Sequence, residues 1–196
     1  MTSLPEFWLV RHGETEWSAS GRHTGLTDIP ITPAGEQHAR ALRGRLAGQN
    51  FAQVWTSPLA RARRTCELAG FADAAVVDPD LVEWDYGQYE GITTAEIRQQ
   101  RPDWQLFRDG CPGGESLEAI GARADRVIAR LKAASGNAIL FSSGHFLRVL
   151  AARWLGLEPS GGRLLLLGTA SLSILGYEHS NPAEPVLKLW NEQLAD

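Results

Sequence analysis

Two apolar stretches of the sequence end in residues that can do nucleophilic chemistry. Residues 9–17 read LVRHGETEW, so Arg11 and His12 directly follow an apolar run. Residues 140–148 read LFSSGHFLR, so two serines and then His145 follow a second run. A neutral imidazole has a free lone pair near pH 7, and an arginine beside it can bind an anion through paired N–H groups. Together these residue types favour attack of a histidine on a phosphoryl group.

Such a reaction also needs an acid that protonates the leaving alcohol. Residues 81–91 read LVEWDYGQYEG and contain three candidates: Glu83, Asp85 and Glu90. A carboxylate on a loop is most often a solvated surface group, and the spacing does not choose among the three. The acid therefore stays open at this point.

A third short apolar run is followed by a group of arginines. Residues 57–65 read SPLARARRT, and they are predicted to open a helix. In that helix Arg63 lies near the predicted apolar stripe, whereas Arg61 points away from it. This position in the helix favours Arg61 over Arg63 as the arginine that binds an anion and does not decide on Arg64.

The elements that must position these groups alternate between strands and helices. Strands are predicted at residues 7–10, 54–56, 75–77, 138–141, 171–176 and 186–190. Helices are predicted at residues 33–46, 59–69, 94–100, 117–131 and 146–155, with Thr32 and Ser57–Pro58 as N-terminal caps. This alternation predicts an α/β fold, a three-layer α/β/α sandwich with a mostly parallel sheet.

Polar residues follow three of these strands, at His12, at Ser57 and at Ser143. Parallel strands bring their C-terminal ends to one edge of a sheet, which is where ligands bind in open α/β folds. The backbone N–H groups at the start of the helix near Phe146 are expected to help hold an anion there. The sequence thus predicts one anion-binding cleft at that edge.

Composition limits the classes of protein. The chain has 196 residues, 43% of them hydrophobic, and a net charge of −4, which argues against binding to nucleic acid. Cys66 and Cys111 lack metal-ligand spacing, and the chain shows neither a signal peptide nor a membrane span. We expect one domain over 1–196, with an excursion at about 84–114 that covers the site. We also expect a cytoplasmic protein with no cofactor, no metal and no membrane partner, for which a homodimer is allowed.

Four motifs resemble those of the histidine phosphatase superfamily, the phosphoglycerate-mutase-like fold. The stretch from Arg11 to Trp17 is similar to its signature, and the stretches at 57–65, 81–91 and 113–116 resemble its later motifs in order. The resemblance implies that His12 is a nucleophile that becomes phosphohistidine. It further implies that Arg11 and Arg61 clamp the phosphoryl oxygens and that Glu83 gives a proton to the leaving group.

Two positions depart from that pattern: Ser18, where many members carry asparagine, and Ser143, which is the main departure. Aligning Gly144 with the motif glycine puts Ser143 where the family has its second active-site histidine. Three consequences stay open: Ser143 donates a neutral hydrogen bond, His145 reaches in from the first helical turn, or the site is crippled. Serine is still a donor, so we expect weakened but real activity.

The chain is most similar to the branch that contains sedoheptulose-1,7-bisphosphatase and related sugar-phosphate phosphatases. That resemblance makes further residues substrate-binding candidates: Ser18, Thr24, Gly25, Tyr86, His145 and Arg148. It favours a phosphatase that acts on small sugar phosphates. The alternatives are a 2,3-bisphosphoglycerate-dependent phosphoglycerate mutase and a weakly active or silent module that binds a phosphorylated ligand.

Overall fold

Six strands form one mixed sheet in the computed structural model, which describes residues 4–194. The strands are β1 (Phe7–Arg11), β2 (Gln53–Thr56), β3 (Ala75–Val77), β4 (Ala138–Ser142), β5 (Leu172–Tyr177) and β6 (Pro185–Glu192). Their order is β3-β2-β4-β1-β5-β6, and β5 is antiparallel to both of its neighbours while the other pairs are parallel. The predicted domain limits of 1–196 extend beyond the described residues at both ends.

Seven α-helices accompany the sheet in the described part of the chain. They are α1 (Glu16–Ala19), α2 (Pro33–Leu46), α3 (Ala60–Leu68), α4 (Thr94–Gln100), α5 (Leu106–Asp109), α6 (Leu117–Lys132) and α7 (Gly144–Trp154). The predicted α/β class is confirmed. The sequence missed α1 and α5, because four residues are too few to show a helical period.

Alternation along the central strands builds a separate core on each face of the sheet. On β1, Phe7 and Leu9 pack with residues of α6 and α7, whereas Trp8 and Val10 pack with residues of α2 and α3. All five residues of β4 are buried, as expected for a parallel strand with helices on both faces. The fold is therefore the three-layer sandwich that the pattern predicts.

The helix caps were predicted with mixed success. The Thr32 hydroxyl accepts a hydrogen bond from the Gly35 N–H, so this cap is confirmed. The Ser57–Pro58 cap is wrong, because α3 begins two residues later, at Ala60. A distant carboxylate supplies that cap instead: Asp28 Oδ1 accepts from the Ala60 N–H at 2.8 Å. A cap from a remote loop leaves no local sequence signal.

The excursion at 84–114 holds two short helices, α4 and α5, where the sequence predicted only α4. Its Trp84 and Trp104 side chains are buried, and each indole N–H donates to a backbone carbonyl. The two tryptophans of this segment are thus buried packing residues of the core cluster. Across residues 4–194, no helix combines the length and the apolar character that a membrane crossing requires.

Candidate active site

The C-terminal ends of β2, β4 and β1 lie side by side, as the sequence predicted. The His12 N–H donates to the Ser142 carbonyl at 2.9 Å, and the Ser57 N–H donates to the Phe141 carbonyl at 2.9 Å. The residues that follow β1 and β2 are therefore both fixed to the end of β4 by main-chain hydrogen bonds. This edge of the sheet forms the floor of a cavity of about 510 Å³.

Most predicted site residues line that cavity. They are Arg11, His12, Ser18, Thr24, Glu83, Tyr86, Gly144, His145 and Arg148. Gly25, Arg61 and Ser143 do not line it and are buried in its wall. The excursion supplies one side of the cavity through Thr94, Arg98 and residues 104–107, consistent with a segment that covers the site.

His12 is held as a neutral imidazole. Its Nδ1 lies 2.7 Å from the Gly13 carbonyl oxygen, which can only accept, so Nδ1 carries the proton and Nε2 keeps its lone pair. Burial lowers the pKa of His12 well below its ordinary 6.5, and the nearby Arg61 and Arg11 lower it further. The arrangement gives an uncharged nitrogen nucleophile beside two guanidinium groups.

Arg61 is fully buried behind the cavity. Its Nη1 donates to the Thr27 carbonyl at 2.9 Å, and its Nη2 donates to the Gly25 carbonyl at 2.6 Å. The predicted orientation of the helix was wrong: Arg63, expected near the apolar stripe, is exposed, and Arg61, expected to point away from it, lies on the buried face of α3. A buried arginine on that face needs polar partners, and the carbonyls of loop 24–27 supply them.

Arg11 extends over the start of α7. Its Nη1 donates to the Leu167 carbonyl, and its Nε lies where a side chain on Gly144 would have to go. A Cβ on residue 144 would stand 3.1 Å from Arg11 Nε, so the glycine gives this guanidinium its space. Arg11 Nε, Arg61 Nε and Ser143 Oγ are buried and have no hydrogen-bond partner within residues 4–194.

Of the three candidate carboxylates, only Glu83 lines the cavity. Asp85 Oδ1 accepts from the Gly87 N–H, and Glu90 Oε1 accepts from the Gly25 N–H at 2.8 Å. Those two carboxylates therefore shape loops. Glu83, the residue that the family resemblance had picked, is therefore the one of the three that faces the cavity, and its role as the acid stays a prediction.

Glu83 occupies the N-terminus of α7, where the sequence analysis expected an external anion. Its Oε1 accepts from the Phe146 N–H at 2.8 Å, and its Oε2 accepts from the His145 N–H at 3.0 Å. The Trp84 N–H donates to Oε1 as well. The expectation that the His145 and Phe146 N–H groups hold the bound phosphate is therefore wrong, because a carboxylate of this chain already satisfies them.

Ser143 precedes α7 at the N-cap position, and its side chain makes no capping hydrogen bond. Its hydroxyl is fully buried and does not line the cavity. His145, in contrast, lines the cavity, and its Nδ1 is 2.6 Å from the Tyr86 hydroxyl. Burial lowers the pKa of His145 well below 6.5, and Arg148, His23 and Arg11 act in the same direction.

The remaining candidates border the cavity while holding local structure. The Ser18 hydroxyl completes a reciprocal cap of α1 with Thr15. Arg148 donates through Nε to the Gly162 carbonyl at 3.0 Å and lies 4.8 Å from the Phe107 ring centre. These contacts orient Arg148 toward the cavity and leave its charge without a carboxylate partner among the described residues.

Sequence reasoning missed a clamp that positions the Glu83 segment. Arg123 of α6 donates to the carbonyls of Asp80 and Val82 and forms a buried ion pair with Glu115 at 2.6 Å. Glu115 belongs to the 113–116 motif, and that motif was the one sequence feature that could have pointed to this clamp. No spacing rule links Glu115 to Arg123.

The sequence analysis also missed several residues that line the cavity, because they belong to no motif. They are Arg22, His23, Arg98, Trp104 and Arg163.

Comparisons with known proteins identify the family of this chain. A sequence profile of the histidine phosphatase superfamily (branch 1) matches residues 7–193. An acid phosphatase of Mycobacterium tuberculosis is 43% identical, over 87% of this chain and 86% of its own length. A sedoheptulose 1,7-bisphosphatase of Saccharomyces cerevisiae is 40% identical, over 96% and 94%.

The fold has close structural relatives as well. The solved structure of the open reading frame Rv3214 from Mycobacterium tuberculosis superposes with a TM-score of 0.91 at 36% identity, covering 97% of this chain and 99% of that one. Sequence and structure therefore place this chain in branch 1 of the histidine phosphatase superfamily, as a phosphatase of that family.

Proposed function

We propose that this phosphatase hydrolyses small sugar phosphates through a phosphohistidine on His12. The observation that carries the proposal is the set of buried polar atoms around the neutral imidazole. Arg11 Nε, Arg61 Nε and Ser143 Oγ are withdrawn from water and have no partner in the described chain. Leaving such atoms unsatisfied is costly. Arg11 lines the cavity and Arg61 and Ser143 are buried next to it, so these donors favour an anion such as a phosphoryl group beside His12.

The reaction proceeds in two steps in this proposal. His12 Nε2 attacks phosphorus, the P–N bond forms as the bond to the ester oxygen breaks, and protonated Glu83 gives its proton to that oxygen. Water then attacks phosphorus, the P–O bond forms as the P–N bond to His12 breaks, the proton of the water passes to Glu83, and inorganic phosphate leaves. Arg11 and Arg61 neutralise the charge on the phosphoryl oxygens in both steps.

The rest of the cavity supports an anionic, hydroxyl-rich substrate. Five arginines line the cavity: Arg11, Arg22, Arg98, Arg148 and Arg163. None of them forms an ion pair with a carboxylate within residues 4–194. Elsewhere the arginines that do pair are Arg40, Arg45, Arg64, Arg108, Arg123, Arg126, Arg130 and Arg153. The cavity is also lined by Thr94 and Trp104, residue types suited to hydroxyls and to the face of a sugar. The relative from Saccharomyces cerevisiae, named for a sugar bisphosphate, supports the same class.

The proposal is tested by phosphate release from a panel of sugar monophosphates and bisphosphates in the presence of a chelator. We expect release from several sugar phosphates, together with a labelled phosphoenzyme that is stable to base and labile to acid. Conversion of 3-phosphoglycerate into its isomer without release would support the mutase alternative. Substrate binding with neither release nor label would support the silent binding module.

Replacing Ser143 by histidine is expected to raise hydrolysis about tenfold, because an added imidazole supplies the oriented donor that a buried serine hydroxyl provides poorly. The measurement is kcat/KM for the best sugar phosphate. Ser143→Gln, similar in bulk without a titratable ring, is the control and should not produce the gain. A large loss in Ser143→His would mean that the site has been rebuilt around serine.

A cytoplasmic location and a homodimer stay predictions from the sequence. Cys66 and Cys111 are both free thiols, as expected in a reducing compartment.

A further inference from the structure

The Tyr86–His145 pair is the part of the cavity that the two-step reaction leaves unused. The Tyr86 hydroxyl and His145 Nδ1 are 2.6 Å apart, and both residues line the cavity. The main chain of His145 also holds the proposed acid, since its N–H donates to Glu83 Oε2 at 3.0 Å. The pair therefore sits beside the carboxylate that faces the leaving group.

The hydroxyl of Tyr86 decides where the imidazole carries its proton. Tyr86 is 2% exposed, and burial and Glu83 raise the pKa of its phenol well above 10, so the phenol keeps its hydrogen. Its one hydrogen-bond partner within residues 4–194 is His145 Nδ1. If Nδ1 carried the proton, a buried phenol hydrogen would have no acceptor on the protein, which is costly. The phenol therefore donates to Nδ1, and the imidazole proton lies on Nε2.

His145 Nε2 has no partner on the described chain and is reached from the cavity. His12 is the opposite tautomer, because the Gly13 carbonyl holds its proton on Nδ1. The same cavity thus contains one imidazole whose Nε2 has a lone pair and another whose Nε2 has a hydrogen. The first suits attack on phosphorus, and the second suits donation to an oxygen of the ester.

We propose that His145, fixed by Tyr86 as the Nε2–H tautomer, donates a neutral hydrogen bond to the bound phosphate ester. This inference rests on the proposed function. It assigns the donor role to residue 145, in a chain where Ser143 occupies the position of the family's second histidine. His145 would be a catalytic residue in this assignment, and Tyr86 a positioning residue.

The charges around His145 support a neutral donor rather than a cationic one. Burial is the main factor that disfavours a second proton on His145, and the charges of Arg148, His23 and Arg11 lower its pKa further. Glu83, the nearest carboxylate, is engaged by backbone N–H groups and not by the imidazole. The contribution of His145 should therefore not vary with pH across the neutral range.

The first test reads the tautomer directly, by nitrogen-15 NMR of the labelled histidines in the full chain. We expect the Nε2–H form for His145 and the Nδ1–H form for His12 in the wild type. Tyr86→Phe should shift His145 to a mixture of tautomers while His12 is unchanged. A wild-type His145 with its proton on Nδ1 would overturn the proposal, whatever the activity of the enzyme.

The second test measures kcat/KM for a sugar phosphate. We expect His145→Ala to lose about 10²-fold and His145→Gln, which keeps an N–H donor, to lose about tenfold or less. Tyr86→Phe should lose about tenfold through kcat, with its melting temperature recorded separately. The loss in His145→Ala should be the same from about pH 5.5 to about pH 8.5.

His179→Ala is the matched control, because its side chain is 75% exposed on the hairpin between β5 and β6. A His145→Ala enzyme within twofold of the wild type, or a loss confined to acidic pH, would overturn the donor assignment. A wild type that releases no phosphate and forms no phosphoenzyme would instead refute the proposed function. In that event the tautomer measurement would still decide the proton position.

Discussion

His12→Ala is expected to lower kcat for sugar-phosphate hydrolysis by at least about 10⁴-fold and to abolish the phosphoenzyme. Removing the nucleophile removes the P–N bond on which both steps depend, and the remaining arginines can only bind the substrate. The KM should change little, since Arg11 and Arg61 keep their partners on Leu167, Thr27 and Gly25. Initial rates and acid-quenched labelling measure the two effects.

The same residue sets an expectation for pH. Burial and the two guanidinium groups lower the pKa of His12, so its lone pair is present well below pH 6.5. The wild-type kcat/KM should therefore not fall on account of His12 between about pH 7.5 and about pH 5.5.

His179→Ala serves as the control for replacing a histidine. Residual labelling of His12→Ala at the wild-type level would contradict the assignment of the nucleophile.

Glu83→Gln is expected to lower kcat for sugar phosphates by about 10²–10⁴-fold, because the amide cannot protonate the leaving alcohol. The loss should be much smaller for nitrophenyl phosphate, whose phenolate leaves without a proton. This difference between substrates separates a role in proton transfer from a general defect in folding, which would lower both rates alike.

Asp85→Asn is the matched control for that experiment. Asp85 belongs to the same loop, and asparagine keeps the oxygen that accepts from the Gly87 N–H. It should behave like the wild type with both substrates. Equal losses for sugar phosphates and nitrophenyl phosphate in Glu83→Gln would show that Glu83 positions the start of α7 and is not the acid.

Arg63 and Arg61 of α3 show that local periodicity does not always predict which face of a helix is buried. Helical periodicity placed Arg63 near the apolar stripe, but Arg61 lies on the buried face because the carbonyls of loop 24–27 accept its hydrogen bonds. The cap of α3 shows the same limit, since Asp28 acts from the same distant loop. Both contacts join residues more than 30 positions apart, where no spacing rule applies.

The sequence by itself determined the α/β class, the strand ends that meet and the family, because each is written in local periodicity or in contiguous motifs. It also identified His12 and Arg11, which follow a strand directly. The family resemblance already favoured Glu83, but local spacing did not separate it from Asp85 and Glu90. Only the tertiary structure showed that Glu83 and His145 line the cavity, whereas Asp85, Glu90 and Ser143 do not. Those choices depend on which side chain is buried against which distant neighbour, and such contacts exist only after the layers have packed.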